Sequence, residues 1–284
     1  MLFYNIQGDL ISDITQIALT GSDKMQIEKM FLILNKQYGD KFCFIPVYSS
    51  SDQINSNINL IDFWANYDAV FYIGKIENQT ETFLDYWVGH PHFRFIDSKN
   101  ALNNIEREIN CISENIELEK KYLIKMPNIS ALSKYKIFKT DIEQVYLISD
   151  TGSHRIRKRG ANGVFQCFET LKIRINNEKC FEYENIITEP QYNELLKLAD
   201  PSKNKIVKNR YCILYKSQYF ELDTFPFWSD RALIELEIPN EDTQILLPPE
   251  ISVIKDVSND KMYKNNFLST IDWNNYEDCK AYIL

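Results

Sequence analysis

Residues 116–124 read IELEKKYLI. Glu117, Glu119 and Lys121 fall on alternate positions, with Leu118 between the two acids. Alternate residues of a strand share one face, so a strand here sets two carboxylates and an ammonium in a single row. On an open sheet such a row faces water. On the inner face of a closed sheet it is a site.

The pattern recurs downstream. Acidic pairs at i, i+2 are Glu182/Glu184, Glu221/Asp223 and Glu235/Glu237. Basic pairs are Arg155/Arg157, with Arg159 continuing the row, Lys172/Arg174 and Lys208/Arg210. The positions between are mostly apolar (Leu118, Ile156, Ile173, Leu222, Leu236), with Tyr183 and Asn209 as exceptions. The pairs sit in β-rich runs at 143–150, 154–160, 165–175, 179–187, 204–216, 218–225 and 232–238, separated by turn sequences such as DTGS, GANG and YKSQ. One amphipathic strand with a wet face is commonplace. A series of strands carrying both signs of charge in phase points to a closed antiparallel barrel with a charged lumen.

Buried charge is costly unless it is paired or bound. Lysine and arginine rows suit a chain of phosphates. Carboxylates do not suit phosphate, but they are hard oxygen ligands for Mg²⁺ or Mn²⁺. A metal so held bridges to phosphate oxygens and activates a water for in-line attack on phosphorus. The expected chemistry is therefore metal-dependent and acts on a linear polyphosphate.

The first part of the chain has another texture. Before residue 114 there are 8 Lys+Arg against 14 Asp+Glu; afterwards there are 24 against 26. Strand signals at 14–21, 42–50 and 67–74 alternate with a helical pattern at 24–39, which predicts a small α/β unit with parallel strands. A helix is expected over 101–117, another over 189–201, and helical character in DVSNDKMYKNNFLST near the end. A net charge of −8 speaks against a general nucleic-acid or acidic-membrane binder. Cys43, Cys111, Cys167, Cys180, Cys212 and Cys279 show no CxxC spacing, which argues against zinc and a disulfide framework and fits a reducing, cytoplasmic setting. The N-terminal MLFYNIQGDLISD lacks the pattern of a signal peptide, and no apolar run approaches the ~18–20 residues of a membrane span.

The residues ELEKK (117–121) resemble the opening EXEXK motif of the CYTH superfamily, the triphosphate tunnel metalloenzymes. The resemblance continues in order through IEQVYL (142–147), RIRKR (155–159), TLK (170–172), FEYENII (181–187), QYNELL (191–196), IVKNRY (206–211), FELDTF (220–225), LIELEI (233–238) and DKMYKNNFL (260–268). It implies an α+β protein whose residues 113–284 form an eight-stranded antiparallel β tunnel that binds triphosphates with Mg²⁺ or Mn²⁺. Members include inorganic, thiamine and RNA triphosphatases and adenylate cyclases. Carried over position by position, Glu117, Glu119 and Lys121 match the catalytic first strand. Arg155, Arg157, Lys172, Lys208, Arg210 and Lys261 match phosphate-binding positions. The metal-binding acids are Glu117 and Glu119, then Glu182, Glu184, Asp223, Glu235 and Glu237, of which Glu235 and Glu237 are the best placed to share a metal with the first strand. Arg159, Arg174 and Glu221 are open between lumen and surface.

Residues 1–112 resemble the P-loop kinase-like domain that precedes the tunnel in some of these proteins, through GHPHFRFIDSKNALNNIEREIN (89–110). The corresponding LTGSDKMQIEKMF (19–31) keeps Gly21 but lacks the second glycine and the Gly-Lys-Ser/Thr of a phosphate loop. The expectation is a degenerate P-loop domain, with Lys24 on the surface and the domain free to serve as a partner surface. His90 and His92 flank Pro91 and read as a turn, His154 falls out of phase with Arg155, and Cys167 and Cys212 read as packing residues. The function expected is hydrolysis of a small triphosphate, most simply inorganic triphosphate. The rivals are a non-catalytic polyphosphate- or nucleotide-binding module, a nucleoside or thiamine triphosphatase, and an adenylate cyclase.

Overall fold

The computed structural model describes residues 3–4, 10–11, 15–48, 59–114, 116–150, 152–174, 179–275, 279 and 282. The side chains of residues 3–4, 10–11, 113–114, 116–117, 174 and 179–181 fall outside that description, Glu117 and Arg174 among them. The chain divides into two compact units, Met1–Ile105 and Glu106–Leu284.

The first unit contains β1 (Thr15–Gly21), α1 (Lys24–Tyr38), β2 (Phe42–Tyr48), α2 (Leu60–Trp64), β3 (Ala69–Gly74) and β4 (Phe93–Asp97). Its four strands are all parallel, in the order β2-β1-β3-β4. Central β3 reads AVFYIG and is buried at every position, as a parallel strand covered on both faces must be. Helix α1 buries Ile27, Met30 and Leu34, one stripe at helical spacing. α3 (Ala101–Glu114) ends short of the expected 117, because the chain is already extended at Ile116. The division between the units falls within α3, as does the expected boundary at 112/113.

The second unit is built on β5 (Ile116–Lys125), β6 (Lys136–Tyr146), β7 (Ser153–Ala161), β8 (Val164–Arg174), β9 (Lys179–Ile187), α4 (Glu189–Leu195), β10 (Ile206–Tyr215), β11 (Gln218–Thr224), β12 (Arg231–Glu237) and β13 (Val253–Asp256). The strands form one antiparallel sheet in the order β9-β8-β7-β6-β10-β11-β12-β5-β13. β9 also pairs with β5, Cys180 opposite Glu117, and this pairing closes the sheet on itself. β13 takes the other half of the same β5 edge, opposite Tyr122–Ile124, so the sheet counts nine strands.

The hairpins follow from local chemistry. Asn162 and Gly163, with φ of 53° and 83°, make the two-residue link between β7 and β8; an Asn-Gly pair meets the positive φ that such tight turns require. Thr188 and Gln191 form a capping box on α4, with Pro190 in its first turn. The outer face of β5 and β10–β12 buries Leu118, Ile213, Leu222, Ile234 and Leu236 beneath Ile238 and Ile251. Val145, Ile156 and Cys167 pack under Tyr192 of α4. The expected C-terminal helix is only a 3₁₀ turn at Lys261–Tyr263 followed by one helical turn at Asn265–Leu268.

Candidate functional site

The apolar residues of the strands occupy the outer face, so the alternate residues face inward. Register then makes ion pairs of the rows. Lys121 lies opposite Glu235, Glu235 opposite Glu221, and Asp223 opposite Arg210. Lys121 Nζ stands 2.8 Å from Glu235 Oε1 and 3.8 Å from Glu119 Oε1. Arg210 grips Asp223 with two parallel bonds of 2.7 Å, Nε to Oδ1 and Nη2 to Oδ2. The same guanidinium donates to Glu221 and, at 3.3 Å, to Glu235 Oε2. Lys208 Nζ reaches Asp223 Oδ2 at 2.5 Å, both groups being essentially without solvent exposure.

A second set lies on β7, β8 and β9. Lys172 and Glu182 are cross-strand partners at 2.9 Å, and Arg155 Nη2 donates to the same carboxylate at 3.1 Å. Arg157 Nη2 donates to Glu184 Oε2, which also accepts from Thr170 Oγ1 at 2.8 Å. Arg159 is buried, with its Nη2 3.5 Å from Cys212 Sγ.

Burial and charge together set the protonation. Burial pushes Glu119 up, but Lys121, Lys172 and Lys264 outweigh it and hold the carboxyl well below its usual range. Burial likewise opposes ionisation of Asp223, and Arg210 and Lys208 overcome it. Lys208 goes the other way: burial, aided by Arg210, brings it down to about 8. The site therefore holds ionised carboxylates beside Lys208, an ammonium whose hold on its proton is weakened by burial.

The structure thus brings Glu119, Lys121, Arg155, Arg157, Lys172, Glu182, Glu184, Lys208, Arg210, Asp223 and Glu235 into inward-facing ion pairs. Glu221 joins them through Arg210, and Arg159 is buried on the same face. Glu117 lies on the inner row by strand phase, but its side chain is outside the described residues, as is that of Arg174. Glu237 shares the row and is exposed. Lys261 is exposed too; the C-terminal segment instead sends in Lys264, whose Nζ donates to Glu119 Oε1 at 2.5 Å. The motif DKMYKNNFL holds both lysines, and of the two it is Lys264 that reaches Glu119.

The run RKRG is not a surface patch, since of Arg157, Lys158 and Arg159 only Lys158 reaches outward, to Glu189 at 2.8 Å. His154 pairs with Glu169 at 2.8 Å. His90 uses both ring nitrogens, Nε2 on the Tyr67 carbonyl and Nδ1 on the His92 amide, which leaves no lone pair for a metal. Lys24 is exposed beside the Tyr48 ring.

Sequence reasoning missed the uncharged part of the inner face. Thr140, Gln144 and Tyr146 of β6 and Thr170 of β8 are all buried there. It also missed where the charge stops. Leu123, Tyr146, Ile206, Phe225 and Leu233 continue the inward phase of Lys121, Gln144, Lys208, Asp223 and Glu235, and they pack with Trp228, Tyr263 and Tyr282 into an aromatic plug. The charged layer is bounded on that side by apolar packing.

Among the described residues no three His, Cys, Asp or Glu side chains converge closely enough to hold a metal ion. Glu119 and Glu235 share the Lys121 ammonium, and Glu117 precedes them in the row. Among the described residues no helix is long and apolar enough to cross a membrane, and no described cysteine is in a disulfide.

No protein-family model matches the chain, and no curated protein does. Among solved structures, the inorganic triphosphatase NE1496 is similar over 54% of this chain and 94% of that one, at 28% identity and a TM-score of 0.38. The PH1012 protein from Pyrococcus horikoshii OT3 follows at 23% identity over 44% and 80%, with a TM-score of 0.34. HpAC1 from Hippeastrum, described as a candidate adenylyl cyclase with a dominant triphosphatase activity, is 18% identical over 43% and 80%, with a TM-score of 0.32. With TM-scores below one half, these likenesses leave the functional reading to the residues of this chain.

Proposed function

We propose that residues 113–284 form a triphosphate tunnel, its wall the strands joined through the β9–β5 pairing, and that it hydrolyses a small triphosphate, most simply inorganic triphosphate. The observation that carries this is the buried, paired charge of the inner face. Apolar residues of similar size would stabilise the sheet as well or better, so an interior holding Arg155, Arg157, Lys172, Lys208 and Arg210 beside ionised acids is explained by a ligand. A linear triphosphate matches the forked donors, and the aromatic plug favours a short one.

In this reading Arg155, Arg157, Lys172, Lys208, Arg210 and Lys264 bind and orient the phosphate chain. Their carboxylate partners keep the cations in place until the ligand arrives. Asp223 is engaged by cations on both oxygens and acts as a counter-ion that aims Lys208 and Arg210. Glu117, Glu119 and Glu235 are the hard oxygen donors suited to Mg²⁺ or Mn²⁺, with Glu237 at the exposed end of the row. The metal would supply charge neutralisation at phosphate oxygens and acidify a bound water. Lys121, between Glu119 and Glu235, keeps those acids ionised and spaced.

The first unit is read as a degenerate P-loop-like domain without nucleotide hydrolysis. The Asp23 carboxylate accepts from the Gln26 amide and so occupies the helix N-terminus where a phosphate would lie. Gly21 has a local reason to be glycine: at φ 149° a Cβ would meet the Ile73 carbonyl at 2.0 Å.

The test is phosphate release from tripolyphosphate, ATP and thiamine triphosphate, with Mg²⁺, Mn²⁺ or chelator. Tripolyphosphate turnover with metal is expected, and Glu119→Gln should lower it by about 10²-fold or more while binding persists. The rival reading is a tunnel that binds a polyphosphate without turnover. Saturable binding with no release on any substrate would establish it.

A further inference from the structure

β6 differs from its neighbours in carrying no charge on its inner face between Phe138 and Tyr146. Its outward residues are accounted for: Glu143 pairs with Lys205 at 2.9 Å, and Val145 packs in the cluster under α4. The opposite face presents Thr140, Ile142, Gln144 and Tyr146, all buried. Gln144 has no exposed surface, and neither its amide nitrogen nor its amide oxygen has a hydrogen-bond partner. Thr140 Oγ1 is in the same condition. Gln144 lies opposite Arg157 on β7 and Ile206 on β10, while Ile142, two residues earlier, lies opposite Lys208. An unpaired amide thus sits among phosphate-binding cations.

Leaving both ends of a buried amide unpaired is destabilising, and methionine would fill the same space without that cost. The charged neighbours offer one kind of partner each: cations only donate, and ionised carboxylates only accept. A phosphoryl oxygen satisfies the amide N–H, and a water satisfies the amide oxygen.

We propose that Gln144 contacts the reacting groups: Nε2 donates to an oxygen of the terminal phosphoryl group, and Oε1 accepts a hydrogen bond from the attacking water. This rests on the triphosphatase reading and adds the group that orients the nucleophile. In the step, the water oxygen bonds to the terminal phosphorus as the bridging P–O bond breaks, and the bond's electron pair leaves with diphosphate. One hydrogen of the water ends on orthophosphate and the other on diphosphate, so triphosphate and water balance the two products. Gln144 is not protonated; it holds the water in line.

The experiment compares the full-length wild type with Gln144→Met and Gln144→Asn, measuring Tm, tripolyphosphate turnover and tripolyphosphate affinity. Gln144→Met should melt at or above the wild type, because it removes unpaired groups without leaving a void. Its kcat should fall about 10²-fold while KM moves less than about threefold. Wild-type turnover with kcat retained in the Met variant overturns this inference and leaves the functional reading intact. If the Met variant does not fold, Gln144→Asn decides by the same split: kcat lost with KM held supports the assignment, and kcat retained overturns it. If wild type binds without turnover, the functional reading fails as an enzyme and the assignment of Gln144 to the reacting groups fails with it. If wild type neither binds nor hydrolyses tripolyphosphate, both readings fall.

Discussion

The two units solve the same problem with opposite interiors. In the parallel unit β3 is buried at all six positions, and the core is Ile17, Leu19, Leu34, Val70, Phe71 and Ile73. In the antiparallel unit the strands bury apolar residues outward, under loops and α4, and buried charge inward. A parallel strand between helices has two dry faces and no room for ions. A closed antiparallel strand has two unlike faces, one packed outward and one turned to the enclosed interior. Apolar packing and ionic pairing are therefore divided between the two faces of each strand of the second unit in a way they are not in the first.

The largest effect that tests this contrast is the removal of one partner from a buried ionic set. Asp223→Leu strips Lys208 of its bonded acid and takes two bonds from Arg210. It should cost about 3–5 kcal/mol, since an uncompensated charge stays buried. Phe71→Ala should cost a similar ~3–5 kcal/mol in the first unit through the cavity it leaves. The tryptophans allow separate readouts, Trp64 and Trp87 in one unit and Trp228 and Trp273 in the other. Urea melts should show both losses, whereas tripolyphosphate binding should vanish only in the Asp223 variant. A loss below 1 kcal/mol for Asp223→Leu would mean that the inner face is hydrated and cheap to disturb, and the contrast would fail.

Next in size is the pH response. Lys208 titrates at about 8 in the folded chain, against about 10.4 for an unperturbed lysine. Its folded pKa is the lower one, so the unfolded state binds more protons between the two values. The stability cost of burying the ammonium is fully present below pH 8 and disappears as the pH rises toward 10.4. That cost is on the order of 3 kcal/mol. Affinity runs the other way: phosphate needs the ammonium, so tripolyphosphate binding should weaken as pH rises through about 8. Lys208→Arg should hold its affinity to pH 9.5, because guanidinium stays charged. Between pH 8 and 9.5 the unfolding signal of Trp228 and Trp273 should strengthen while that of Trp64 and Trp87 stays level. An affinity profile flat across pH 8 in the wild type would remove Lys208 from the phosphate contacts.

The same contrast explains what could be read in advance. Charge at i, i+2 is a loud signal, and β7, β9, β11 and β12 stand within a residue or so of where that signal placed them. β6 begins at Lys136 rather than at Glu143; the i, i+2 charges of KIFKTDI, Lys139 and Asp141, lie on the face opposite Thr140 and Gln144 and pair with each other at 2.9 Å, so they give no sign of the inner row. Thr140 and Gln144 were invisible for the same reason: neutral polar residues on a strand do not announce which face they occupy. β4 escaped because FRFID is short and is preceded by a histidine turn. Lys264 could not be separated from Lys261 by spacing, since both lie in one irregular segment whose direction is set by the Asp260 cap and Tyr263 packing against Trp228. The nine-strand count depends on β13 sharing an edge with β9, a long-range pairing that no local pattern encodes.

The smallest expected effect probes the first unit alone. Asp23 caps α1 by accepting from the Gln26 amide at 3.1 Å, and no phosphate-loop lysine follows it. Asp23→Ala removes one cap and one favourable charge at a helix N-terminus, which together cost about 1 kcal/mol. Melts followed at Trp64 and Trp87 should therefore shift slightly downward, and the Trp228 and Trp273 transition should not move. If the helix end were a working phosphate site masked by its own acid, freeing it would create a second tripolyphosphate site, seen as a second equivalent in a calorimetric titration. The expected stoichiometry is unchanged, because the amides alone lack the glycine cradle and the lysine that hold a phosphate chain. A second equivalent in the Asp23→Ala variant would show that the apolar unit keeps a phosphate site under its cap, and the division of labour between the two interiors would no longer stand.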